Sequence, residues 1–395
     1  MTSLSQACLW DWDTLQMERQ RFPGVLETMT GKFVRHSRDY YEWRIRDRKP
    51  RFRSPSEDPA VADDLAVAYS KLGDHAKAME LLEQVLEFHP DRYETLANLG
   101  TVHMLAGDLQ TGKEFIDRAI TINPDAHFGR EKYQSLLAEY FLTARTLPHP
   151  AASGSFVIHP KRQYCGFAKF VLEKNALNPE TDLDDKAVGD ELAAAQQGLL
   201  GMMHFANHDS PMLLEALGDL LIAWPTYQED ALQLAALAYL RVSQLTDESE
   251  KKQFEMAAVN VLEGHLDYIR HHEANRDTPW YESTLSKLGH LLDRELAKGR
   301  TYFDTITVDE RSWIAAGADV DREFAAKYYD SLEGTVEAAK EQLATERRDV
   351  RTGPYSINPL TGLAIFGLIT VGLIAITIWL ISVIRRRWRN HDEPH

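Results

Sequence analysis

Residues 59–92 read PAVADDLAVAYSKLGDHAKAMELLEQVLEFHPDR, and residues 93–126 read YETLANLGTVHMLAGDLQTGKEFIDRAITINPDA. Placed one beneath the other they align without a gap, at an offset of 34 residues. Leu65 answers to Leu99, Ala66 to Gly100, Gly73 to Gly107, Ala78 to Gly112, Leu82 to Ile116, Val85 to Ala119 and Pro90 to Pro124. A period of this length marks stacked units that bury a continuous core only together. Each unit carries a Gly-Asp pair at its centre, Gly73-Asp74 and Gly107-Asp108, where a left-handed residue closes one helix before another starts. Each second helix ends at its proline. The small residues Ala66, Gly100, Ala78 and Gly112 stand where the two helices of a unit approach closely.

This pair of units resembles the tetratricopeptide (TPR) repeat, a helix-turn-helix of 34 residues. Tyr69 and His103 hold the place of the family's large residue on the first helix. The departures are Ala62 and Leu96 where an early aromatic is expected, and His103 in place of Tyr. The resemblance covers 68 residues, 59–92 and 93–126, and implies a protein-interaction scaffold with no catalytic residues. Groove-facing polar residues of the first helices, Asp63, Asn98 and Thr101, are the candidate partner contacts.

Two repeats cannot cover their own outer faces, so flanking helices are expected to cap them. Residues 127–145 place Tyr133, Leu136, Leu137, Tyr140 and Phe141 at helical spacing and read as a capping helix. Residues 1–58 supply capping helices on the other side, with Leu15, Phe22, Val25, Leu26, Met29, Phe33 and Tyr40 as apolar positions. Within them residues 35–53, RHSRDYYEWRIRDRKPRFR, carry eight basic and three acidic side chains. Contact with anionic lipid, an acidic partner or phosphate is one reading. The other, preferred here, pairs the arginines internally with Glu57-Asp58 and Asp63-Asp64.

Residues 146–350 read as a second helical region, degenerate and repeat-like. A Pro/Gly/Ser-rich loop at 146–160 opens it, and helical patterns follow at Tyr164–Lys174 and Lys186–Phe205. Residues 211–244 suggest a further helical pair turning at Pro225. Amphipathic runs continue at Glu250–Ala274, Trp280–Lys298 and Asp319–Arg348, the last with the look of a charged stalk. No stretch alternates with period 2, so the fold class is all-α: a TPR-like α-solenoid of helical hairpins.

After a linker at 351–359, residues 360–384 read LTGLAIFGLITVGLIAITIWLISVI, 25 residues without a charge. About 20 apolar residues at 1.5 Å each span a bilayer core of about 30 Å, so one C-terminal transmembrane helix in the lipid bilayer is expected. The basic tail at 385–395 carries Arg385, Arg386, Arg387 and Arg389, whereas the ten residues before Pro359 carry only Arg351. Basic flanks stay cytoplasmic, which puts the tail inside and the helical body on the periplasmic or extracellular side. Residues 1–30 show no apolar export segment. Either Ser5-Gln6-Ala7 ends a signal peptide whose upstream part is missing, or the protein is tail-anchored with a cytoplasmic body.

Asp and Glu number 60 against 44 Lys and Arg, a net charge of −16, which argues against nucleic acid as a partner. Cys8 and Cys165 are too few for a disulfide scaffold. His204 and His208 are spaced i, i+4 but lack the glutamate of a metalloprotease motif, and Asp182, Asp184 and Asp185 lack the glycine and distal glutamate of a calcium loop. No phosphate loop or nucleophile elbow occurs, and Cys165, beside Arg162, Tyr164 and Lys169, reads as structural. The sequence therefore points to a non-enzymatic, cofactor-free, membrane-anchored scaffold that holds a protein or peptide ligand. The alternatives are a cryptic enzyme or metal-binding protein within residues 160–300, or a purely structural spacer.

Overall fold

The computed structural model describes residues 24–124, 129–153, 164–177, 186–223, 231–269 and 279–329, excepting the side chains of 263–269 and 279–283. The chain divides into two units, Met1–Ser331 and Leu332–His395, and the described residues all belong to the first. The expected linker, membrane segment 360–384 and tail lie outside the described residues, as do residues 1–23 and the acidic 178–185 stretch. Among the described residues no helix is long and apolar enough to cross a membrane.

Every described element is helical. Helices α1 (Val25–Thr30) and α2 (Arg38–Arg48) lead into α3 (Pro59–Lys71), α4 (His75–Phe88), α5 (Tyr93–Leu105) and α6 (Leu109–Ile122). These last four are the two expected repeats. Gly73 and Gly107 sit at φ 90° and 95°, a region that L side chains rarely enter. The next residue caps each second helix: Asp74 accepts from the Lys77 amide and Asp108 from the Thr111 amide. Ala66, Ala78, Leu82 and Val85 are buried in the first unit, and Leu99, Ile116 and Ala119 in the second.

Helix α7 (Arg130–Thr143) lies where a capping helix is expected, and a 3₁₀ turn (Pro150–Ala152) leads to α8 (Gly166–Lys174) and α9 (Lys186–Phe205). The two helices expected at 211–244 are present as α10 (Pro211–Ile222) and α11 (Ala231–Leu245), and the turn expected at Pro225 lies outside the described residues. A Cβ on Gly218 would meet the Tyr239 ring at 2.7 Å, so α10 and α11 close on that glycine. Helix α12 (Glu248–Ile269) follows. The largest apolar core among the described residues is built from α7 through α12 and joined by Met29 of α1 and Leu288, Leu292 and Leu296 of the helix that follows α12, with Leu199, Leu217, Leu220, Tyr239 and Phe254 fully enclosed.

The C-terminal part corrects two expectations. The run expected to stop at Lys298 continues as one helix, α13 (Pro279–Ala315). Gly299 lies inside it because the Thr30 carbonyl occupies the space a side chain would need. The start of the expected stalk is also packed: α14 (Val320–Phe324) and a π turn (Ala325–Tyr329) bury Phe324 and Tyr329 against Ile306 of α13. Burial of those aromatics outweighs the charge of their neighbours, which the sequence displays more plainly.

Candidate functional site

The first helices of the array, α3, α5 and α7, lie side by side, and polar groups cross each seam. Asp63 on α3 accepts from the Thr95 hydroxyl at 2.9 Å and from Arg92 Nε and Nη2 at 3.0 and 2.9 Å. Thr101 on α5 accepts from Gln134 Nε2 on α7 at 3.2 Å. Asp63, Asn98 and Thr101 are all buried, at 2%, 0% and 0% exposure. The three candidate partner contacts are therefore enclosed in the described state rather than displayed along an open groove. The reason is geometric for two of them: Asp63 and Thr101 point sideways at the neighbouring first helix. Burial pushes the Asp63 carboxyl up to about 6, against the opposing pull of Arg92 and Thr95.

The inner end of the module is covered by the chain itself. Gly201 and Gly198 of α9 lie against Arg130 and Tyr133 of α7, so α9 runs back along α7 towards its start. The last turn of α9 then reaches α3, where Lys71 Nζ donates to the carbonyls of Phe205 and Ala206 at 2.6 and 3.0 Å. A cation suits that place, because the last carbonyls of a helix carry partial negative charge and have no partner within it. Arg130 lies 4.6 Å over the Phe205 ring.

On its solvent side the module presents the second helices. Glu80, Glu83 and Glu87 are exposed along α4, and Glu114 along α6. Phe88 and Ile122, equivalent positions at the ends of α4 and α6, are 59% and 43% exposed.

The basic 35–53 stretch pairs internally, as preferred from sequence. Arg53 binds Asp58 at 2.7 Å and Glu57 at 3.2 Å, and Arg48 lies 3.7 Å from Asp64. Its main partners come from residues that the sequence did not single out. Arg48 and the Tyr40 hydroxyl both bind Asp321, and His36 Nδ1 and the Ser37 amide meet Glu310 at 2.6 and 2.9 Å. Burial would raise Asp321, but the Arg44 and Arg48 guanidiniums outweigh it and hold its carboxyl below the usual range. The stretch is a clasp between the start of the body and residues 299–329; Arg46, Lys49 and Arg51 remain exposed on it.

Within residues 160–300 the structure does assemble a polar cluster, around Asp219 of α10. Asp219 accepts from the Tyr239 hydroxyl at 2.6 Å and the Phe167 amide at 2.7 Å, and His149 Nε2 lies 3.1 Å away. The Cys165 thiol also approaches it, at 3.8 Å. Beside it Arg145 forks onto Glu215 at 2.8 Å and Glu250 at 2.7 Å. Cysteine, histidine and carboxylate thus converge, yet the chemistry is that of a brace. Burial, then Asp219, push the Cys165 thiol well above its ordinary value; Arg162, placed beside it by the sequence, lies outside the described residues. Asp219 instead serves as acceptor for the first turn of α8 and as counter-ion to His149, whose pKa it raises against burial. Of its members only Cys165 is a site candidate from sequence; two acids inside an apolar run, Glu215 and Asp219 in LLEALGDLLI, are the available signal.

Among the described residues no group of three or more His, Cys, Asp or Glu side chains is placed to hold a metal. His204 and His208 do not form a ligand pair: Phe33 lies against both rings, with centroids 4.5 and 5.5 Å away. No curated protein matches the chain. A tetratricopeptide-repeat family model matches residues 69–140, from the end of α3 through most of α7. That segment is similar to the tetratricopeptide-repeat family, whose arrays generally mediate protein–protein interaction.

Proposed function

We propose that this protein is a membrane-anchored interaction scaffold, holding a partner protein or peptide on its repeat module and attached to a bilayer through residues 360–384. The observation that carries the interaction role is the gap-free 34-residue repeat, folded as stacked hairpins and matched by the family over residues 69–140. The anchor rests on 25 uncharged residues followed by four arginines. The same arginines favour a cytoplasmic tail and an extracytoplasmic body; a tail anchor with a cytoplasmic body is the competing arrangement.

The burial of Asp63, Asn98 and Thr101 directs attention to the outer faces of α4 and α6, where Phe88 and Ile122 are exposed. Isolated exposed apolar residues are ordinary, but here the two recur at repeat-equivalent positions. The test is fractionation of the full chain with a reporter fused after His395. The proposal expects the chain to stay with membranes after alkaline extraction, with the reporter active only in its cytoplasmic form. Release by alkali would remove the anchor, and an active export-dependent reporter would reverse the orientation.

A further inference from the structure

Three segments distant in sequence meet at one joint. They are the Gly31–Ser37 stretch between α1 and α2, Lys71 at the end of α3, and residues His204–Asp209, the end of α9 with the turn that follows it. Phe33, 4% exposed, stacks on the His204 ring and meets the His208 ring edge-on. Gly31 lies so close to His208 that a Cβ on it would stand 2.5 Å from Nε2. Lys71 ties the turn to α3 through the Phe205 and Ala206 carbonyls.

The charged groups facing the two rings come from every element at the joint. Arg35 approaches from the α1–α2 stretch, Lys71 from α3, Arg130 from α7 and Arg241 from α11, while Asp209 lies beside His208. Asp209 itself accepts from Arg241 Nε and Nη2 at 3.0 and 2.9 Å. Neutral imidazoles suit this place, packed on an aromatic ring and facing cations. Imidazolium would bring an unsolvated charge against Phe33 and repulsion from Arg35, Lys71 and Arg130.

We propose that His204 and His208 form an acid-operated release of this joint: protonation of the two rings frees the turn after α9 from α3 and uncovers the inner end of the repeat module while the repeats stay folded.

The direction follows from linkage. Burial and the surrounding cations hold His204 down to about 3 and His208 to about 4 in the closed joint. In an opened joint each ring would return to the ordinary histidine value of about 6.5. Their contribution to closure is thus complete above that value and is lost progressively as pH falls from it to the closed-state values of about 4 and 3. The opening constant gains about tenfold per pH unit for each histidine, and about 100-fold for the two together, between roughly pH 6 and pH 4. Asp63, raised to about 6 inside the repeats, has the opposite sign and favours the folded array as pH falls in this window.

Hydrogen exchange on the full chain in detergent micelles, followed from pH 7 to pH 4 and corrected for intrinsic exchange rates, tests this. Peptides covering 29–37 and 199–209 are expected to hold their protection above about pH 6.5 and to lose it by about 100-fold per pH unit between roughly pH 6 and pH 4. Peptides covering 97–119 should keep theirs. His204→Gln or His208→Gln should each reduce the dependence to about tenfold per unit, and the double variant should abolish it. Joint peptides that track 97–119, or a double variant with the wild-type dependence, would overturn the proposal. Should a variant fail to fold, the contrast between the joint and 97–119 in the wild-type chain decides alone.

Discussion

Gly100 on α5 and Gly112 on α6 meet backbone to backbone. A Cβ on Gly100 would stand 2.8 Å from the Gly112 carbonyl oxygen, and one on Gly112 would stand 2.7 Å from the Gly100 carbonyl oxygen. The first unit solves the same crossing with Ala66 and Ala78, both fully buried. Two effects oppose each other in Gly112→Ala. The helix gains up to about 1 kcal/mol of propensity, whereas overpacking costs about 1–3 kcal/mol. The obstacle is partly backbone, which cannot rotate away, so overpacking wins. Gly112→Ala is expected to lose roughly 1 kcal/mol and Gly112→Leu about 3 kcal/mol, read as urea midpoints. A more stable Gly112→Ala chain would show that the crossing is looser than described.

The Asp63–Arg92 pair makes a second prediction. Arg92→Met leaves the Asp63 carboxylate buried with only Thr95 to bind it. Breaking a buried pair costs about 3–5 kcal/mol, and the partial exposure of Arg92 brings the expected loss at pH 7 to roughly 2–3 kcal/mol. Protonation of Asp63 relieves the penalty, so the variant should recover part of its stability as pH falls towards 5. A loss that is independent of pH between 7 and 5 would contradict the assignment.

Arg145 serves two carboxylates of unequal depth. Glu215 is 1% exposed and the Glu250 side chain 23%. Arg145→Met should therefore cost about 3–5 kcal/mol, chiefly through Glu215. Glu250→Gln, which keeps a hydrogen-bond acceptor at a wetter position, should cost about 1 kcal/mol or less. Equal effects in thermal melts would mean that depth does not govern this fork.

Cys165 offers a chemical probe of the brace around Asp219. In a Cys8→Ser background, alkylation at pH 7.5 should be slow in the native chain and rapid in denaturant, because the buried thiol stays protonated. Rapid native alkylation would indicate an activated cysteine and revive an enzymatic reading of this region.

What the sequence discloses is local. The 34-residue offset, the Gly-Asp turns and the small residues at 66, 78, 100 and 112 all act within one hairpin, so their spacing is sufficient to find α3 to α6. The pair α10–α11 was legible for the same reason. Contacts spanning long separations were not. The partner of His36 is Glu310, that of Tyr40 is Asp321, and residue 299 inside its helix is glycine because Thr30 leaves no room for a side chain. None of these has a local signature, since each depends on where the chain returns after some 270 residues. The polar residues of the first helices illustrate the same limit. A helical pattern identifies the face of Asp63 and Thr101 but not whether solvent or a neighbouring helix lies opposite.

The central claim, that the repeat module holds a protein partner at a membrane, is tested most directly by photo-crosslinking. A benzophenone side chain is placed in turn at the exposed positions Glu83, Phe88, Glu114 and Ile122 of the full chain in its native membrane. The account predicts a discrete crosslinked protein from at least one position, lost when Gly112→Leu disrupts the module. Irradiation that yields no crosslinked protein from any of the four positions, with the chain abundant and folded, would contradict it.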